Sequence, residues 1–74
     1  IVVTSPATDF YKNYFPQNCR QELMDIIRKF EEEFEFTFID GYIMDCFNDS
    51  DFYDASHLNK LGSKKFTEII NNYI

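Results

Sequence analysis

The spacing of apolar residues changes along the chain, and each spacing predicts a different element. Ile1 to Thr4 is a continuous apolar, β-branched run ended by Ser5-Pro6, which predicts a strand buried on both faces, as in parallel sheets. From Pro16 to about Glu33 apolar residues recur every three or four positions between charged ones, which predicts an amphipathic helix. Phe36 to Ile39 is aromatic and β-branched and ends at the turn dipeptide Asp40-Gly41, so it is predicted as a second strand.

The remaining segments are a connection, a loop and a last helix. Residues 7 to 14 are mixed and aromatic, which predicts an irregular connection or a helical turn. Residues 42 to 53 form a loop of about a dozen residues, and loops of this length are often functional. Asn59 is a suitable N-cap for the last helix. One face of that helix would carry its apolar residues, Leu61, Phe66, Ile69, Ile70 and Tyr73.

These elements predict an α/β protein with the order β-α-β-loop-α. A strand, a helix and a second strand in succession favour a parallel sheet. Two such strands with two helices leave sheet edges and a helix face uncovered, whereas parallel sheets are normally covered on both faces. We therefore expect residues 1–74 to be part of one larger doubly wound domain, or alternatively a module that completes its sheet with another copy of the chain.

Composition and charge limit the possible partners. Hydrophobic residues make up 45% and aromatic residues 19% of the chain, so collapse to a globular state is expected. The net charge of −6 argues against nucleic acid, whose binding depends on clustered Lys and Arg. No apolar run is long enough to cross a bilayer. A targeting signal would lie upstream of Ile1, which leaves the compartment open, cell envelope and secreted locations included. Cys19 and Cys46 predict two free, partly buried thiols.

Asp54 and His57 are the residues with the clearest potential for chemistry. His57 is the only histidine, and Asp54 precedes it by three residues, so on a tight turn their side chains can meet. The carboxylate can then accept from Nδ1–H and fix the tautomer, which leaves Nε2 free to accept a proton. The competing interpretation is an Asp that initiates a turn with a surface His beside it.

The residues around this pair carry a family resemblance. Asp54-Ala55-Ser56-His57-Leu58-Asn59, followed by Leu61-Gly62 and an amphipathic helix, resembles the C-terminal block of the SGNH (GDSL-like) hydrolase superfamily. The preceding strand and the run from Ile1 to Pro6 are loosely similar to the family's last βα units. The resemblance implies a C-terminal fragment, residues 1–74, of a single flavodoxin-like SGNH domain.

The same resemblance implies an activity. His57 would be the general base and Asp54 its orienting acid in a Ser-Asp-His triad of an esterase, acylhydrolase or acyltransferase, with an ester of carbohydrate or lipid type as substrate and no cofactor. The family's Gly-Asp-Ser nucleophile motif has no counterpart in the chain, so this segment alone is expected to be inactive. The rest of the parent domain would supply the nucleophile. The alternative is a small self-associating interaction module without catalysis.

Two other groups of residues have competing interpretations. Several acidic residues near Asn48 suggest a hard cation: Asp45, Asp49, Asp51 and Asp54. Calcium loops need regularly spaced oxygen ligands and a Gly, and this segment has neither, so no metal site is predicted. Four aromatic residues could line a pocket or pack in the core: Tyr42, Phe47, Phe52 and Tyr53. Core packing is the commoner fate of such residues, and Phe52 is expected nearest to the site.

Overall fold

The computed structural model describes residues 1–74 and contains two strands and three α-helices. In chain order they are β1 (Val2–Thr4), α1 (Asp9–Tyr14), α2 (Gln17–Phe34), β2 (Phe38–Asp40) and α3 (Lys60–Asn71). Two 3-10 turns, Gly41–Ile43 and Asp49–Asp51, lie in the long loop between β2 and α3. The predicted α/β class and the order of the main elements are confirmed, and the segment before α2 is a helix of its own.

The two strands pair in parallel, as predicted. Val2 lies opposite Phe38, and Thr4 lies opposite Asp40. The carboxyl ends of the strands are also joined through side chains, because the Thr4 hydroxyl donates to Asp40 Oδ1 at 2.6 Å. The Asp40 carboxylate forms an ion pair with Arg20 of α2, which ties the crossover helix to the same edge of the sheet.

Local sequence signals account for the ends of the helices. Thr8 caps α1 by accepting from the Tyr11 backbone N–H at 3.2 Å. Pro16 stands at the N-cap of α2, where its missing N–H costs nothing. That helix ends at Glu35, which takes a left-handed conformation with φ of 45°. None of the three helices has the length and apolar character that a bilayer crossing requires.

The core is small because the molecule is thin. Its principal extents are 37, 31 and 15 Å, and 9 of the 74 residues are buried. Ile27 of α2, Ile39 of β2 and Phe66 of α3 are the main buried apolar side chains. Gly41 directly follows β2, and a Cβ there would overlap the Thr4 carbonyl oxygen and lie 3.0 Å from the Phe66 ring. A glycine at this position therefore lets α3 and the end of β1 approach β2 closely.

Two expectations about burial are wrong, and one is confirmed. Val2 and Val3 are 39% and 41% exposed, so β1 is not buried on both faces. The apolar face of α2 is largely open, as expected for a small sheet that leaves a helix face uncovered, and its exposed members are Leu23, Ile26, Phe30 and Phe34. Both cysteines are exposed rather than partly buried. The physical reason is the same in each case, since two strands and three helices supply too little surface to cover every apolar face.

Candidate active site

A tight loop formed by residues 52 to 58 carries the candidate catalytic pair. Its ends meet in an isolated antiparallel bridge between Phe52 and Leu58. Within the loop, the Tyr53 backbone N–H donates to the His57 carbonyl oxygen at 2.7 Å. These backbone contacts fix the conformation of the loop from which the side chains of Asp54 and His57 project.

Asp54 and His57 meet as the sequence predicts. The Nδ1 atom of His57 lies 2.7 Å from Asp54 Oδ1. The same oxygen accepts the backbone N–H groups of Ser56 and His57, each at 3.0 Å. A carboxylate accepts hydrogen bonds, so this contact places the proton of a neutral imidazole on Nδ1. Nε2 then carries the free lone pair, and it has no hydrogen-bond partner in the chain.

The pair lies at the surface and is oriented by its own backbone. The His57 side chain is 73% exposed and the Asp54 side chain 50% exposed. The pKa of Asp54 lies below its usual value of 3.8, mainly because of the Ser56 backbone N–H and then because of the hydrogen bond to His57. Asp54 therefore remains ionised at neutral pH and can stabilise a positive charge on the ring. The arrangement can accept a proton at Nε2 and deliver one from it.

Ser56 does not complete a nucleophile-base pair. Its hydroxyl lies 3.3 Å from His57 Nδ1, the nitrogen that already faces Asp54. A serine activated by this histidine would have to lie at Nε2. Ser56 is therefore a residue of the turn, as its sequence context predicts.

Thr8 holds the loop from the other end of the chain, and sequence reasoning missed it. Its backbone N–H and its hydroxyl both donate to the carbonyl oxygen of Ala55, at 3.1 and 2.7 Å. Ala55 directly follows Asp54, and Thr8 is 9% exposed. The signal in the sequence was a Thr-Asp pair typical of a helix start, which indicates a cap but not a partner 47 residues away.

Asn59 joins the loop to α3. As predicted, it is the N-cap, and its Oδ1 accepts from the Gly62 backbone N–H at 2.9 Å. Its side-chain amide also donates to the Ser50 carbonyl oxygen at 2.8 Å, and its backbone N–H donates to that of Asp51 at 2.9 Å. The helix start, the loop before the site and the site itself are therefore one hydrogen-bonded unit.

Asp51 is the buried acid of this unit. Its side chain is 4% exposed and accepts from the Asn48 backbone N–H and from Lys65 Nζ, both at 3.0 Å. The Asn48 contact and then the Lys65 contact lower the pKa of Asp51 below 3.8. Its Oδ2 atom thus joins the loop to α3. No group of three or more His, Cys, Asp or Glu side chains in the chain is arranged to hold a metal ion.

The aromatic residues of the loop divide between packing and exposure. Phe47 lies 6.4 Å from Phe52 and 6.0 Å from the buried Phe66, measured between ring centroids. Phe52 is thus close to Asp54 along the chain, but its ring packs towards α3. Tyr53 is 82% exposed. Tyr42 contacts Arg20, whose Cζ lies 4.4 Å from the ring centroid, and it borders a cavity.

Comparison with known families identifies the chain. A family model described as UxuA: D-mannonate dehydratase (UxuA) matches residues 8–74, a range that includes the loop, both candidate residues and Thr8. The chain belongs to the UxuA D-mannonate dehydratase family. No curated protein and no solved structure matches it.

Membership of the UxuA family overturns the resemblance to SGNH hydrolases, together with the activity and the substrate that it implied. The assignments as an esterase, acylhydrolase or acyltransferase are wrong, and so is an ester of carbohydrate or lipid type as substrate. The error has a physical origin. An acid and a histidine three residues apart before a capped helix form a local proton-transfer unit, and such a unit can serve elimination of water as well as ester cleavage. Dehydration needs no serine nucleophile, so the absence of one no longer predicts that the chain is inactive.

Proposed function

We propose that this UxuA-family chain takes part in dehydrating a sugar acid such as D-mannonate, with His57 as the proton-transfer group and Asp54 as its orienting residue. The 2.7 Å contact between His57 Nδ1 and Asp54 Oδ1 carries the proposal, because it leaves Nε2 free as a proton acceptor. Two further observations support it. The ring is 73% exposed, so a substrate can reach it, and the family match covers both residues.

The chemistry of a dehydration defines what His57 would do. In a sugar acid, the most acidic carbon-bound hydrogen is on C2, next to the carboxylate. Nε2 accepts this proton, the electrons of the C–H bond form a C2–C3 double bond, and the C3–O bond breaks. The departing hydroxyl takes a proton back from the imidazolium and leaves as water, so the histidine returns to its neutral state. The resulting enol rearranges to the 2-keto acid.

Asp54 supports both halves of this cycle. Its Oδ1 accepts a hydrogen bond from Nδ1–H and so selects the tautomer whose Nε2 is basic. It also carries the negative charge that stabilises the transient imidazolium. Two backbone N–H groups at 3.0 Å hold the carboxylate in place, so little rearrangement is needed when the ring becomes charged.

A larger domain around these residues is part of the proposal. Val2 and Val3 of β1 are about 40% exposed, and the apolar face of α2 is open. We take residues 1–74 as one part of a single domain whose further strands extend the parallel sheet in a doubly wound arrangement. Such strands and their helices would cover these apolar surfaces.

The test follows proton transfer directly. The purified protein is incubated with D-mannonate in D₂O, and NMR records loss of the C2–H signal together with formation of the keto product. His57→Gln should reduce both rates by about 10²- to 10⁴-fold, the usual contribution of a general acid or base. Asp45→Asn, a change of an exposed acid that makes no side-chain hydrogen bond, is the control and should keep the wild-type rates. Wild-type turnover by His57→Gln, or no action of the wild-type protein on D-mannonate, would contradict the proposal.

A further inference from the structure

A cavity of about 200 Å³ opens at the carboxyl end of β1, the edge where parallel sheets usually bind ligands. The apolar residues in its lining are Pro6, Ala7, Tyr11, Phe15, Leu23 and Tyr42. Drug-sized ligands occupy roughly 300 to 1,000 Å³, so this volume suits a smaller molecule. The aromatic rings in the wall offer flat surfaces against which the carbon-bound hydrogens of such a molecule can pack.

Arg20 supplies the cavity with unused hydrogen-bond donors. Its side chain is only 13% exposed and pairs with Asp40 through one nitrogen, Nη2. A guanidinium has five N–H donors, and no other hydrogen bond of this group is made within the chain. The group lies over the Tyr42 ring, with Cζ 4.4 Å from the ring centroid, which fixes its plane. Donors held in a fixed plane favour a carboxylate, which they can bind through two oxygens.

The local charge also favours an anion. Lys12 Nζ lies 5.6 Å from the centroid of the same Tyr42 ring. Two cations, Lys12 and Arg20, therefore surround Tyr42, whereas Asp40 is the one carboxylate paired with them. The chain as a whole has a net charge of −6, so this excess of positive charge is local.

The cavity borders the loop that carries His57. Ser56 lines it, and the Ser56 hydroxyl lies 3.3 Å from His57 Nδ1. Ser5 lines the cavity as well, at the end of β1. Two hydroxyl groups thus belong to the same cavity lining as the guanidinium, and they can exchange hydrogen bonds with a polyhydroxylated molecule.

From these observations we infer that the cavity is the sugar-acid binding site, with Arg20 as the residue that binds the carboxylate. The hydroxyls of Ser5 and Ser56 contact the polyol chain, and the carbon skeleton packs on Tyr42. The inference rests on the proposed function for the identity of the ligand, and it assigns the substrate a location and an anchor that the Asp54–His57 pair does not provide.

Calorimetric titration of the purified protein tests the inference. D-Mannonate should bind, and D-mannitol, a neutral polyol of the same carbon number, should bind at least about tenfold more weakly, since a tenfold loss corresponds to about 1.4 kcal/mol. Arg20→Lys keeps the charge beside Asp40 but loses the planar group, and it should weaken D-mannonate binding by a similar factor. Leu23→Trp enlarges a side chain that lines the cavity and should abolish binding by occupying its volume.

Matched variants separate this inference from the proposed function. Phe30→Trp adds bulk to another half-exposed position of α2 that does not line the cavity, and it should bind D-mannonate like the wild-type protein. His57→Gln should also bind it while losing turnover. Unchanged affinity in Leu23→Trp, equal affinity for D-mannitol, or no binding by the wild-type protein overturns the inference. Wild-type turnover by His57→Gln together with loss of binding in Leu23→Trp would instead overturn the proposed function and leave the cavity assignment standing.

Discussion

The hydroxyl of Thr8 donates to the carbonyl oxygen of Ala55 at 2.7 Å, and the Thr8 backbone N–H donates to the same oxygen at 3.1 Å. This double contact joins the start of α1 to the loop that carries Asp54 and His57. The same hydroxyl oxygen accepts from Tyr11 and caps α1. One buried threonine thus couples the stability of a helix to the position of the candidate active site.

Thr8→Val should lower both stability and activity. The substitution keeps the shape of the side chain but removes the cap and the hydroxyl donated to Ala55. Loss of a cap costs about 0.5 to 2 kcal/mol, and each kcal/mol corresponds to a decrease in Tm of roughly 4 to 8 °C in a domain of this size. Thermal unfolding followed by circular dichroism, with kcat measured in parallel, checks both effects.

Two matched substitutions control for the Thr8 experiment. Thr67→Val removes an exposed hydroxyl that donates only within α3, to Ser63, and it should change Tm little. Thr8→Ser keeps the hydroxyl and should therefore retain most of the wild-type stability and activity. If Thr8→Val retains the wild-type kcat, the contact to Ala55 does not position the loop.

Asp54→Asn should lower kcat while leaving the fold intact. An amide can still accept the backbone N–H groups of Ser56 and His57, but it carries no charge to stabilise the imidazolium. The loss should be smaller than the roughly 10²- to 10⁴-fold expected for removal of the base itself. Steady-state kinetics with D-mannonate provide the measurement, and an unchanged Tm shows that the effect is chemical. An unchanged kcat with a raised KM would assign Asp54 a role in binding instead.

Acid should destabilise the protein in part through Asp51. Its pKa is lower in the folded state than the usual 3.8, so between these two values the unfolded chain binds more protons than the folded one. The stabilisation is therefore fully present above 3.8 and is lost as the pH falls through the folded-state pKa. Urea unfolding between about pH 6 and about pH 3 should show a decline in stability.

The Asp51 contribution can be isolated with two variants. Asp51→Asn cannot ionise, so its stability should already be lower at neutral pH and should fall less steeply in acid. Asp49→Asn changes an acid in the same 3-10 turn that makes no side-chain hydrogen bond, and its pH dependence should follow the wild type. If the free energy of unfolding falls with pH equally steeply in Asp51→Asn and in the wild type, this role for Asp51 is excluded.

Gly62→Ala should be destabilising although alanine favours helices. A Cβ at this position of α3 would overlap the Asp51 carbonyl oxygen and lie 2.9 Å from Leu58 Cδ2. Alanine gains up to about 1 kcal/mol in helix propensity, whereas forcing an extra methyl group into a close contact costs about 1 to 3 kcal/mol. Urea denaturation should show a net loss. Ser63→Ala, the next position and an exposed one, should be neutral or slightly stabilising, and a stabilised Gly62→Ala would contradict the close packing of α3 on the loop.

The sequence by itself determined the features that depend on neighbouring residues. Periodicity located α2 and α3 to within a residue or two, β-branched and aromatic runs located both strands, and Asn59 was correctly predicted as the N-cap. The contact between Asp54 and His57 was also predictable, because three residues on a tight turn bring the two side chains together whatever the rest of the chain does. The reaction in which this pair takes part was not predictable, since the same short unit suits several reactions. The resemblance to SGNH hydrolases pointed to the wrong one.

Only the tertiary structure decided the features that join distant segments. The bond from Thr8 to Ala55 spans 47 residues, and the ion pair between Arg20 and Asp40 spans 20. A polar residue in a sequence indicates which hydrogen bonds it can make, but packing decides which partner lies within reach. The exposure of Val2 likewise depends on how much surface the other elements can cover. Local propensity therefore determined the geometry within the loop that carries Asp54 and His57, and long-range packing determined which residues hold that loop and which cavity lies beside it.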